Sequence, residues 1–204
     1  MQRVLDELPA PPRSVLDVGC GHGRFAQLLR ARSSAARYQG VDASAALLAL
    51  ARARTDLILG AEFSCIDVIE SAGEIPRGPF DLIGLFGVIH HVPGERARAE
   101  LLRTLATRLA PAGTLAVAFW RTRGDEDPAR RVPWERAGID ASDLEPGDRL
   151  LRFDVDAGAF RFSHFADEAE LSRLAAAVPL PLALRFDSDG SGGVANAYLL
   201  WRRP

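Results

Sequence analysis

The densest chemical signal in the sequence is Asp17-Val18-Gly19-Cys20-Gly21-His22-Gly23, three spaced glycines after a short apolar run. Glycines at this spacing let a ligand lie against the backbone, and the helix start that follows turns N–H groups toward it. Gly21–Ala26 (GHGRFA) also satisfies the dinucleotide pattern G-x-G-x-x-G/A. Register separates the two readings. A dinucleotide turn begins its first glycine at the strand end, here Gly19, and its third would then fall on Arg24. Asp17 also fits poorly beside a pyrophosphate and well near a ligand ammonium group. Asp42, about 20 residues on, is where a carboxylate can accept both ribose hydroxyls. Asp67 is placed to accept from an adenine amino group, and equally to cap a helix. The adjacent His90-His91 can supply a base or shape a pocket.

These residues need strands that end where they stand. Ser14–Val18 reads as a buried strand, followed by a helix over Arg24–Arg32 with Phe25, Leu28 and Leu29 at helical spacing. Strands are predicted at Arg37–Val41, Glu62–Ile66, Phe80–Phe86 and Gly113–Trp120, with helices from Ser44 to about Arg54 and over Glu95–Leu109. Such alternation implies right-handed crossovers and a mostly parallel sheet with helices on both faces. Between Arg121 and about Leu150 the pattern gives way to a stretch rich in Gly, Pro and charge. It leaves the carboxyl edge of a strand, where open α/β sheets bind ligands. Beyond it come a short aromatic Phe160–Phe165, a helix over Asp167–Ala177 and two closing strands, Leu182–Asp187 and Asn196–Arg202.

Composition narrows the class. A chain of 204 residues with 48% hydrophobic residues has room for one well-buried core. All 25 basic residues are arginine, against 27 acidic ones, and the net charge of -2 excludes a surface that grips nucleic acid everywhere. Two cysteines, Cys20 and Cys65, are too few for a disulfide framework and suit a reducing interior. The first residues lack the basic-then-apolar pattern of a secretory signal, and no run of about 18 apolar residues occurs. The expectation is a soluble, cytoplasmic protein without a bound metal.

In this order and spacing, VLDVGCGHGRF, GVDAS, CID, FDLIGLFGVIHHVPG and LRTLATRLAPAGTLAVAF resemble the class I S-adenosylmethionine-dependent methyltransferases over residues 14–119. The resemblance implies a Rossmann-like, doubly wound, mostly parallel seven-stranded sheet in a single domain spanning residues 1–204. Its cofactor half is 14–119, a substrate-facing insert after the fifth strand is 121–160, and a helix with two closing strands is 161–204. It further implies S-adenosylmethionine as cofactor, with Asp17, Gly19, Cys20, Gly21 and Gly23 at the methionine end. Asp42 and Ala43 fall at the ribose, Ile66, Asp67 and Val68 at the adenine, and Phe86, Gly87 and His91 near the cofactor's centre.

The remainder is similar to methyltransferases that esterify carboxymethyl groups on wobble uridines of tRNA, and to their bacterial relatives. It shares their Arg-aromatic-x-His run, here Arg161-Phe162-Ser163-His164, and their late Asn-x-Tyr strand, here Asn196-Ala197-Tyr198. Residues 120–204 nevertheless hold 12 Arg against 15 Asp+Glu, a balance of -3 that suits a small acceptor better than an RNA backbone.

Methyl transfer from a sulfonium asks the protein mainly to hold acceptor and methyl in line. A carboxylate acceptor needs only an orienting arginine, and Arg121 and Arg161 are candidates. A hydroxyl or amine acceptor needs a base, for which His90, His91 and His164 are candidates. The expected activity is O-methylation of a carboxylate or hydroxyl on a small molecule. The alternatives are methylation of a wobble uridine in tRNA and a catalytically silent partner subunit. A nicotinamide oxidoreductase with a Tyr-x-x-x-Lys relay is excluded, because the chain has no lysine.

Overall fold

The computed structural model describes residues 1–32, 37–54, 60–121, 131–154, 159–190 and 192–204; residues 122–130 of the anticipated insert lie outside the described residues. Five strands pair in parallel: β1 (Ser14–Val18), β2 (Arg37–Asp42), β3 (Glu62–Cys65), β4 (Phe80–Phe86) and β5 (Leu109–Trp120). The sheet is closed by β8 (Leu182–Ser188) and β9 (Asn196–Arg202), with β9 antiparallel to both β5 and β8. The seven-stranded order is β3-β2-β1-β4-β5-β9-β8, so the chain runs outward in both directions from the β1/β4 seam. That seam is a topological switch point, where the carboxyl ends of the strands leave a crevice.

The apolar runs decide the layers. Central β4 is buried along nearly all of FDLIGLF, as a strand covered on both faces must be. On one face pack α1 (Gln2–Asp6), α2 (Arg24–Arg32) and α3 (Ala45–Ala53), through Val4, Phe25, Leu29 and Ala51. On the other pack α4 (Glu95–Ala106) and α5 (Glu168–Ala177), whose Leu101, Leu102, Leu105, Leu171 and Leu174 meet Trp201 of β9. Full burial of each such leucine contributes roughly 1.5–3 kcal/mol. Ser44 caps α3 by accepting from the Leu47 N–H at 3.2 Å, and Asp167 caps α5 by accepting from the Glu170 N–H at 2.8 Å.

Two differences from the sequence reading bear on the site. Helix α4 stops at Ala106, and Leu109 already pairs with Phe80 at the start of β5 before a register shift. More consequentially, β6 (Asp148–Asp154) and β7 (Ala159–His164) form a separate antiparallel pair with Asp148 opposite His164. Among the described residues no helix is long and apolar enough to cross a membrane.

Candidate active site

A cavity of about 420 Å³ opens at the carboxyl ends of β1, β2 and β4, within the range of small-molecule sites. Gly19 and Gly21 form its floor, Asp42 and Ala43 one side, and Ile66, Asp67 and Val68 the other. Phe86, Gly87 and His91 make the far wall. Ten of the positions read as cofactor contacts thus surround one space. At Gly21 (φ 54°) and Gly87 (φ 84°) an added Cβ would meet nothing within 4 Å, because the cavity occupies that volume. Gly19 differs: its Cβ would lie 2.0 Å from Val88 Cγ2, so its glycine permits close packing of the turn.

The two rim carboxylates are oriented by backbone. Asp42 accepts from the Gly21 N–H and the Ser44 N–H, one at each oxygen and both at 2.8 Å. A carboxylate has about four lone-pair sites, so the bonds that fix its direction leave it able to accept from a ligand diol. Asp67 accepts from the Ile69 N–H at 2.9 Å and turns the chain after β3, so its local capping role and a place on the rim coexist.

Asp17, Cys20 and Gly23 do not line the cavity. Asp17 is 2% exposed and accepts from the Tyr38 hydroxyl at 2.5 Å. Burial pushes its carboxyl up to about 7, against the opposing Tyr38 bond. Cys20 is buried against Gly40, where an added Cβ would sit 2.8 Å from its sulfur, and burial pushes its thiol up. Cys65 is exposed, with its sulfur 3.6 Å from the Ala43 carbonyl on the cavity rim.

A second cavity, about 440 Å³, lies beyond the far wall and shares Arg24, Phe86, Gly87, His91 and Arg161 with the first. Its own lining includes His90, Trp120, Asp189, Asn196 and Tyr198. Asp189, held at φ 68°, accepts from the Tyr198 hydroxyl at 2.5 Å and from the Asn196 amide at 2.9 Å. Neither Arg24 nor Asp189 was singled out from the sequence. Arg24 directly follows the glycine turn and Asp189 sits in a glycine-rich turn, but nothing local showed that either reaches this space.

The two histidines are neutral for different reasons. His90 is 3% exposed and stacks on Trp120 with ring centroids 3.7 Å apart. Burial pushes its pKa down to about 2, and its Nδ1 has no hydrogen-bond partner. His91 stands with Nδ1 2.9 Å from the Phe162 carbonyl and Nε2 3.2 Å from the Arg161 guanidinium. The carbonyl can only accept and the guanidinium only donate, so Nδ1 carries the proton and Nε2 is bare. Burial lowers the His91 pKa, and Arg161 adds to the effect. Asp189 is a weak base too: burial alone would raise its carboxyl, but the Tyr198 and Asn196 bonds outweigh it and hold it below the usual range.

Two residues that the sequence placed beside the acceptor lie elsewhere. Arg121 pairs with Asp187 and, at 3.0 Å, with Glu168, so its charge joins the end of β5 to β8 and α5. His164 is buried between Asp148 and Glu170, each 2.6 Å from one ring nitrogen. Neither lines either cavity. Donor atoms of Glu145, His164 and Glu170 lie within 4.8 Å of one another, a spacing that could hold a metal ion. The fully buried Arg98, bonded to both glutamates, already supplies positive charge there.

Known proteins resemble this chain in sequence and in fold. The profile of a family described as "Methyltransferase domain" matches residues 1–178. Over 129 residues the chain is 38% identical to a trans-aconitate 2-methyltransferase of Methylobacterium nodulans, which is 63% of this chain and 46% of that one. It is also 31% identical over 131 residues to a probable tRNA methyltransferase 9B of Mus musculus, covering 62% of this chain and 27% of the relative. The chain spans about half the length of the first trans-aconitate methyltransferases it matches. Among solved structures, a SAM-dependent methyltransferase from Methanosarcina mazei superposes with a TM-score of 0.74 at 17% identity, over 98% of this chain and 96% of that one. A 1,6-didemethyltoxoflavin-N1-methyltransferase from Burkholderia thailandensis, solved with S-adenosylhomocysteine, gives 0.65 at 18% identity, over 99% and 76%.

Proposed function

The chain belongs to the methyltransferase domain family and has the fold of S-adenosylmethionine-dependent methyltransferases; from that premise we propose that it methylates a carboxylate of a small organic acid. One observation carries the choice of acceptor atom. The second cavity offers guanidinium groups, while its two histidines are poor bases: burial keeps His90 neutral and both His91 nitrogens are engaged. An acceptor that must lose a proton is poorly served there, whereas a carboxylate is already ionised at neutral pH. The similarity to trans-aconitate 2-methyltransferases supports the same acceptor chemistry.

S-adenosylmethionine would supply an already activated methyl group, held by Asp42 at its diol and by the Gly19–Gly21 backbone. The chain's own contribution is placement. Arg161, whose guanidinium stands at the boundary of the two cavities, would orient the acceptor carboxylate by charge-assisted hydrogen bonds. His91 fixes that guanidinium, and Phe86 and Trp120 exclude water. Correct placement in favourable intramolecular systems is worth roughly 7–11 kcal/mol, enough to be the main source of rate. Two free cysteines fit a cytoplasmic setting.

The direct test incubates the protein with isotope-labelled S-adenosylmethionine and small mono-, di- and tricarboxylic acids, in parallel with bulk tRNA. Expected is label in a small acid, released as methanol by mild alkali, as an ester requires. Base-stable label would overturn the carboxylate assignment. Alkali-labile label in tRNA would favour the second reading, which the likeness to tRNA methyltransferase 9B supports. Cofactor binding without transfer would make the chain a silent partner subunit, and thermal stabilisation by NAD alone would overturn the cofactor.

A further inference from the structure

The Arg-aromatic-x-His run ends on a side chain that the site above leaves unused. His164, the last residue of β7, is 3% exposed. Its Nδ1 lies 2.6 Å from Asp148 Oδ1 on β6 and its Nε2 2.6 Å from Glu170 Oε2 on α5. A neutral imidazole has one donor and one acceptor, so only the imidazolium can donate to both carboxylates. Around this ring stand Glu145, on the lead into β6, and Arg98 of α4. The Arg98 guanidinium donates to Glu170 at 2.9 Å, to the Val92 carbonyl at 3.0 Å and to Glu145. Two cations thus face three carboxylates, and loss of the second imidazole proton leaves Arg98 alone among them. Space for the ring is provided by Gly147, where an added Cβ would lie 2.7 Å from His164 Cε1 and 2.3 Å from the Phe165 carbonyl.

Three residues up the same strand, Arg161 donates to His91 Nε2, and the Phe162 carbonyl accepts from His91 Nδ1. An isolated two-stranded pair is marginally stable and takes its position from what it is tied to. We propose that His164, as an imidazolium, is the positioning residue that seats the β6–β7 pair on α4 and α5 and so holds Arg161 and His91 at the boundary of the two cavities. The effect on turnover rests on the reading that the acceptor binds beside Arg161; the effect on His91 does not. The spacing of the run follows from the two tasks: the arginine faces the site and the histidine, three residues on, locks the strand.

In the wild-type protein, nitrogen NMR of ¹⁵N-histidine should show both His164 nitrogens protonated at pH 7, as donation to both Asp148 and Glu170 demands against the opposing effect of burial. The His91 signals should then shift in step as His164 loses its proton at higher pH. His164→Gln should raise the acceptor KM at least tenfold while cofactor affinity stays within twofold, and should flatten the alkaline rise in KM. Gly147→Ala, which crowds the ring without changing a charge, should reproduce the KM effect. An unchanged KM in a folded His164→Gln protein overturns the proposal, as does an equal loss of cofactor affinity. If the variants do not fold, or no acceptor is turned over, the wild-type titration decides. His164 neutral by pH 7, or His91 signals indifferent to it, would refute the clamp without touching the methyltransferase reading.

Discussion

Two buried groups near the cavities respond to pH in opposite senses. His90 has a folded pKa of about 2, so above that value the native state stays neutral while the unfolded chain gains a proton below about 6.5. Its contribution to stability is therefore complete at neutral pH and is lost as pH falls. His90→Phe keeps the stack on Trp120 and removes the orphaned Nδ1. The expected gain over wild type is about 2 kcal/mol larger at pH 5 than at pH 8, a few degrees in Tm. Asp17 runs the other way. With its carboxyl raised to about 7, its contribution is full below about pH 4 and is lost as pH rises through 7. Melting curves between pH 4 and 8 should thus flatten in Asp17→Asn relative to wild type, and an unchanged slope would mean that Asp17 ionises normally. Removing the Arg161 guanidinium costs a charged hydrogen bond worth roughly 1.5–3 kcal/mol, so Arg161→Leu should raise the acceptor KM about 10–150-fold. Cofactor affinity, measured by calorimetry, should change far less.

Among the elements, the glycine turn after β1 offers the cleanest separation of fold from function. Gly21 stands at φ 54° with open space at its Cβ position. Gly21→Val should cost about 1–2 kcal/mol of backbone strain, leave a folded protein and abolish thermal stabilisation by S-adenosylmethionine or its demethylated product. The centre of the parallel sheet was legible in the sequence because β1 and β4 are short apolar runs that stop at a glycine, and β2 stops at an acid, Asp42. The lining of the first cavity followed, since residues such as Asp42 and Phe86 sit at strand ends. β6 was not legible, because DRLLRFD has no period-two alternation of apolar and polar residues. The positions of Arg121 and His164 were hidden for a related reason. Their partners Asp187 and Glu168 lie 66 and 47 residues from Arg121, and Glu170 meets His164 only once α5 has docked. Charge in a sequence states what a residue needs, but the residue that satisfies it is named by the fold.

At the scale of the molecule, a net charge of -2 and arginines tied into ion pairs argue for a small acceptor over a polyanion. Binding to bulk tRNA should be undetectable or insensitive to salt between 50 and 200 mM; a steep fall across that range, as counterion release requires, would count against the small-acid reading. Finally, the two cysteines divide chemically. Cys20 is sealed behind Gly40 with its thiol pushed away from ionisation, whereas Cys65 is exposed beside Ala43 and directly precedes Ile66 and Asp67 of the cavity wall. The protein therefore carries a single addressable thiol at the rim of the first cavity. A fluorophore attached there would report cofactor entry optically, before any acceptor has been identified.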